Sequence, residues 1–98
     1  MEEIKEQQIQ IEIDDVTAQG VYSNLAIVGH TQNEFILDFI FVQPQVPKAK
    51  VRARIITSPQ HLKRFLNALE ENVKKYEEMY GEIKVDKNFP TQKIGFVH

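Results

Sequence analysis

From Asn33 to Gln43 the chain reads NEFILDFIFVQ. As a β-strand this stretch alternates its side chains between two faces. Phe35, Leu37, Phe39 and Phe41 share one face; Ile36, Asp38, Ile40 and Val42 share the other. Both faces are apolar, with Asp38 as the one interruption. Such a strand needs cover on two sides.

The same alternation marks three further strands. In QQIQIEI (residues 7 to 13), Ile9, Ile11 and Ile13 alternate with Gln8, Gln10 and Glu12, the pattern of a half-buried strand. Residues 14 to 20 form a polar turn, in which the short side chains of Asp14 and Asp15 can bond local backbone. Residues 21 to 30, VYSNLAIVGH, place Val21, Ser23, Leu25 and Ile27 on one face and Tyr22, Asn24, Ala26, Val28 and His30 on the other. Thr31 to Asn33 supply a turn into the opening stretch. QPQVP, Gln43 to Pro47, is a loop, because proline has no donor for a sheet ladder. In AKVRARII, Ala49 to Ile56, Val51, Ala53 and Ile55 point one way and Lys50, Arg52 and Arg54 the other.

A change of period follows. Ser58 and Pro59 read as an N-cap and first helical position. Leu62, Phe65, Leu66, Leu69, Val73, Tyr76 and Tyr80 then recur at helical spacing until Gly81, a natural stop. The helix is predicted from about residue 59 to 80.

These elements predict an α+β fold: a four-stranded antiparallel meander sheet, then one long C-terminal amphipathic helix and an extended tail. Short connections favour antiparallel pairing, since parallel strands need long crossovers. The predicted organisation is a frayed N-terminus (1–6), a single domain (7–81) and a tail (82–98) that still carries Ile83, Val85, Phe89, Ile94, Phe96 and Val97. A helix stripe can cover one sheet face, leaving the other as an apolar patch of the kind that marks an interface. The expected interface residues are Tyr22, Val28, Ile36, Ile40 and Val42, although periodicity alone does not say which set faces the helix. A second copy, the tail or a different protein can cover the patch, and a homodimer is the expectation. Asp38 fits at the edge of such a patch or in a cross-strand pair with Arg52 or Arg54. The helix offers a competing self-association surface. Leu62, Leu66, Leu69, Val73, Tyr76 and Tyr80 alternate spacings of four and three, as a coiled-coil seam does.

Composition narrows the function classes. The chain has 98 residues, net charge -2 and no cysteine, which removes disulfides and thiolate chemistry. The acidic start MEEIKEQQ lacks the features of a signal peptide, and no apolar run approaches a membrane span. A cytoplasmic setting, with no membrane partner, is expected. His30, His61 and His98 lack metal-binding spacing, and Ser23 and Ser58 lack a nucleophile-elbow context. Gly20 and Gly29 are isolated, so no phosphate-cradling loop is visible. The expectation is a non-enzymatic chain without metal or cofactor.

Lys48, Lys50, Arg52 and Arg54, with Lys63 and Arg64 further on, form a basic stripe, the one sharper feature of the chain. Lys50, Arg52 and Arg54 can contact phosphates or an acidic protein surface. The same residues can instead guard an edge strand against aggregation. Aromatic interleaving, which single-stranded nucleic-acid binding would want, is missing.

The elements Gly20-Val21-Tyr22, Asn24, Glu34-Phe35, Leu37-Asp38-Phe39, Val46-Pro47, Ala53-Arg54-Ile55 and Ser58-Pro59 with His61 carry a resemblance. Over roughly residues 8 to 82 the chain resembles the small bacterial family named domain of unknown function 3467. The resemblance implies a small cytoplasmic protein without an assigned catalytic motif. Some members are encoded beside RNA polymerase large-subunit genes, which implies a transcription-linked role by association only. The meander-plus-helix plan also resembles the export chaperone of the Sec pathway, at the level of fold alone.

The expected function is therefore a non-enzymatic protein-protein interaction and assembly module. It is expected to be a homodimer serving a larger cytoplasmic complex such as RNA polymerase. The alternatives are a nucleic-acid-binding accessory protein using Lys48 to Arg54, and a chaperone-like binder using the open sheet face.

Overall fold

The computed structural model describes residues 8–86. The order of elements is a helical turn α1 (Asp15–Ala18), strands β1 (Leu25–His30), β2 (Phe35–Phe41) and β3 (Lys50–Thr57), and a long helix α2 (Pro59–Tyr80). The chain divides into two compact units, Met1–Pro59 and Gln60–His98. The expected frayed residues 1–6 and the tail beyond residue 86 lie outside the described residues.

In the first unit, β2 lies between β1 and β3, and both pairings are antiparallel. The α+β class, the antiparallel order and the C-terminal helix agree with the sequence reading. The strand number does not: among the described residues the sheet has three strands, not four. Residues 8–13 are not part of a strand, and Ile9, Ile11 and Ile13 stand 82%, 90% and 67% exposed. Alternation says which side chains a strand would bury once paired; it supplies no ladder partner, and strand formation depends on that context.

The polar turn after residue 13 closes as one turn of helix. The Asp14 carboxylate caps α1 by accepting from the backbone N–H of Thr17 at 2.7 Å. Gly20 then takes a left-handed φ of 77°. Between β1 and β2, the Thr31 hydroxyl accepts from the backbone N–H groups of Asn33 and Glu34, both at 3.2 Å. Between β2 and β3, Pro44 and Gln45 form a turn in which Gln45 adopts φ 73° and the Val46 N–H reaches the Gln43 carbonyl at 3.4 Å.

The sheet core is thin. Among the described residues, Leu37 and Ile40 are the buried apolar side chains and Asp38 is the buried charged one. All three belong to the central strand, flanked by a neighbour on each edge.

Helix α2 starts at Pro59, the last residue of the first unit, and ends at Tyr80, as its spacing predicts. Gly81, at φ 99°, donates its N–H to the Glu77 carbonyl at 2.9 Å, and the Glu77 carboxylate accepts from the Ile83 N–H at 2.9 Å. These bonds occupy backbone groups that a helix end leaves unpaired. No residue of α2 is buried. Its apolar stripe is exposed from Phe65 to Tyr80.

Candidate interaction surface

Register decides which side chains share a face of the sheet. Leu25 sits opposite Ile40, Ile27 opposite Asp38 and Gly29 opposite Ile36. Across the other ladder, Arg54 sits opposite Asp38 and Ile56 opposite Ile36. Directly paired residues lie on one side of a sheet. One face therefore carries Ile36, Asp38 and Ile40 with Leu25, Ile27, Arg54 and Ile56. The other carries Phe35, Leu37, Phe39 and Phe41, with Val28 opposite Leu37, Ala26 opposite Phe39 and Ile55 opposite Leu37.

The interface set expected from the sequence is divided by this register. Ile36 and Ile40 stay together, but Val28 lies on the opposite face. The Tyr22 ring meets Phe41 edge-on at 5.8 Å, on the Val28 side. Val42 lies just past β2, where Asn24 holds its backbone: the side-chain amide donates to the Val42 carbonyl at 2.9 Å and accepts from its N–H at 2.8 Å. Periodicity assigns two faces to each strand separately, and only register says which faces meet.

The basic stripe is divided as well. The ladder passes from Phe39 paired with Ala53 to Ile40 paired with Val51, so Arg52 is an extra residue in a β-bulge. The bulge reverses the alternation beyond it. Val51 joins the face of Ile40 and Arg54, while Lys50, opposite Phe41, goes to the other side. Lys50 and Arg52 remain exposed.

Arg54 is already engaged. Its Nε donates to Asp38 Oδ1 at 2.7 Å and its Nη2 to Oδ2 at 2.8 Å, a two-pronged ion pair. The Asp38 side chain is 4% exposed and that of Arg54 is 54% exposed. The Arg54 hydrogen bond holds the Asp38 carboxyl below its usual range, against the opposing effect of desolvation. Of the two arginines proposed from sequence for Asp38, the directly opposed one takes the role.

The residues that sequence reasoning missed are Val51 and Ile56. Both are exposed and both lie on the Ile36–Ile40 face. Ile56 was legible from its parity with Arg54; Val51 was not, because a bulge has no mark in the alternation.

Among the described residues, one open depression is lined by Glu12, Ile13, Asp14 and Thr17, and another by Asn67, Glu70, Glu71 and Lys74. Neither contains His30, Asp15 or Asp38. The His30 ring lies 5.5 Å from that of Phe35. Among the described residues no three His, Cys, Asp or Glu side chains gather as a metal ion requires, and no helix is long and apolar enough to cross a membrane.

The description "protein of unknown function (DUF3467)" matches residues 1–85. The chain belongs to the DUF3467 family. No curated protein and no solved structure matches it. The DUF3467 match spans all three strands and both helices, so the ion-paired sheet face and the exposed helix stripe both lie within the family region.

Proposed function

We propose that this DUF3467 chain is a non-enzymatic assembly module that pairs with a second copy through the sheet face centred on Ile36 and Ile40. The observation that carries this reading is the Asp38–Arg54 pair. A carboxylate in the middle of an apolar face would oppose burial by another protein, because an unpaired buried charge costs several kcal/mol. Here the charge is matched within the chain at 2.7 and 2.8 Å. Beside the half-exposed Arg54, the accessible apolar side chains of this face are Val51 and Ile56. A domain of this size has little core to spare, and added contact area offsets that deficit. The dimer would serve a larger cytoplasmic complex, and the family resemblance makes the transcription machinery the first to examine.

Ile40 is buried within the chain, so replacing it confuses folding with association. Val51→Lys with Ile56→Lys is the cleaner test. Sedimentation equilibrium is expected to show the full chain as a dimer or larger, and the double variant as smaller with an unchanged circular dichroism spectrum. A monomeric wild type, or a folded variant of unchanged mass, would overturn the reading. Capture of a different protein by the wild-type face, with no self-association, would mark a binder of the chaperone-like kind instead.

A further inference from the structure

α2 carries an exposed apolar stripe of its own. Leu62, Leu66, Leu69, Val73, Tyr76 and Tyr80 follow the four-three spacing of a two-stranded seam. Of these, all but Leu62 are exposed, and Leu62 is only half-buried. We propose that α2 pairs antiparallel with α2 of a second copy of this chain.

The direction follows from what each arrangement brings together. In an antiparallel two-fold pair, seam residues meet in three kinds of layer: Leu62 with Tyr80, Leu66 with Tyr76, and Leu69 with Val73. Every tyrosine is set against a leucine, and no seam position is left over at either end. A parallel pair would set Tyr76 on Tyr76 and Tyr80 on Tyr80, with leucines stacked separately at the other end. Layers of alternating large and small residues fill an interface more evenly.

Charge points the same way. The positions flanking the seam on one side are Lys63, Glu70 and Glu77. In the antiparallel pair, Lys63 of each copy lies beside Glu77 of the other, giving two opposite-charge contacts. The one like-charge contact is Glu70 with itself at the two-fold axis. A parallel pair would place Glu70 beside Phe65 and Glu77 beside Asn72, with no opposite charges. Charges flanking a seam set orientation and partner choice more than overall affinity.

The native chain has no cysteine, so a single introduced thiol reports only its own position. Full-length Glu70→Cys is expected to form a disulfide-linked dimer under mild oxidation. Lys63→Cys alone is expected not to link, whereas a mixture of Lys63→Cys and Glu77→Cys chains should link to each other. Linking of Glu70→Cys chains to Phe65→Cys chains, with no link of Glu70→Cys to itself, would overturn the antiparallel direction. Absence of any link, in chains that remain helical, would overturn helix pairing itself. Adding Leu69→Glu and Val73→Glu to Glu70→Cys should abolish the link. Adding Val51→Lys and Ile56→Lys should leave it intact, so loss of the sheet interface and loss of the helix interface give different results.

Discussion

Arg54 is held to Asp38 by two hydrogen bonds across the β2–β3 ladder, and the two residues differ widely in their access to water. This asymmetry predicts unequal effects of removing either partner. Arg54→Met strands a buried carboxylate, whereas Asp38→Leu leaves a guanidinium that water can still reach. Urea unfolding is expected to rank Arg54→Met as the less stable variant, with the double variant recovering much of the loss. Equal midpoints for the two single variants would remove the asymmetry argument.

The same pair predicts acid sensitivity. Asp38 has its folded-state pKa lowered from 3.8, chiefly by the Arg54 hydrogen bond, and Asp14 is lowered from the same value by Thr17. A lowered carboxylate pKa stabilises the fold fully above the unfolded-state value. That contribution is lost as the pH falls below 3.8 and through the folded-state value. Unfolding midpoints followed into acid should fall more steeply for the wild type than for Asp38→Asn. Parallel slopes would exclude Asp38 as a source of the loss.

Asn24 extends the ladder beyond β1. Its backbone N–H donates to the Ile40 carbonyl at 3.0 Å, while its side chain pairs with both backbone groups of Val42. Asn24→Ala removes two side-chain hydrogen bonds at an exposed position and should destabilise the sheet by about 1 kcal/mol. Faster amide exchange should appear first at Val42. Unchanged exchange there would show that the strand end holds without the amide.

Two glycines should respond in opposite directions to the same substitution. Gly81 sits at φ 99°, where a Cβ is strained, so Gly81→Ala should cost roughly 1 kcal/mol. Gly29 lies in β1 without a positive φ, and an added Cβ meets nothing within 4 Å. Gly29→Ala should be neutral or stabilise by up to about 1 kcal/mol through the unfolded chain. Thermal melts of the two variants check the sign of each effect.

Within this protein, local pattern determined what local physics controls. The bounds of α2 were legible because helical spacing, Ser58-Pro59 and Gly81 all act within a few residues. The central strand was legible because NEFILDFIFVQ is apolar on both sides, and its antiparallel neighbours followed from short connections. The possibility of a charge pair at Asp38 was legible from its isolation in an apolar run. The tertiary structure decided what requires two segments at once. Alternation at Ile9, Ile11 and Ile13 could not supply a ladder partner, so a fourth strand was expected where the sheet has three. Register, which one strand cannot specify, moved Val28 to the face opposite Ile36 and chose Arg54 over Arg52. A single bulged residue put Val51 beside Ile40 and split the basic stripe. A period of two describes one strand's sides; the surface of a sheet is set by how neighbouring strands align.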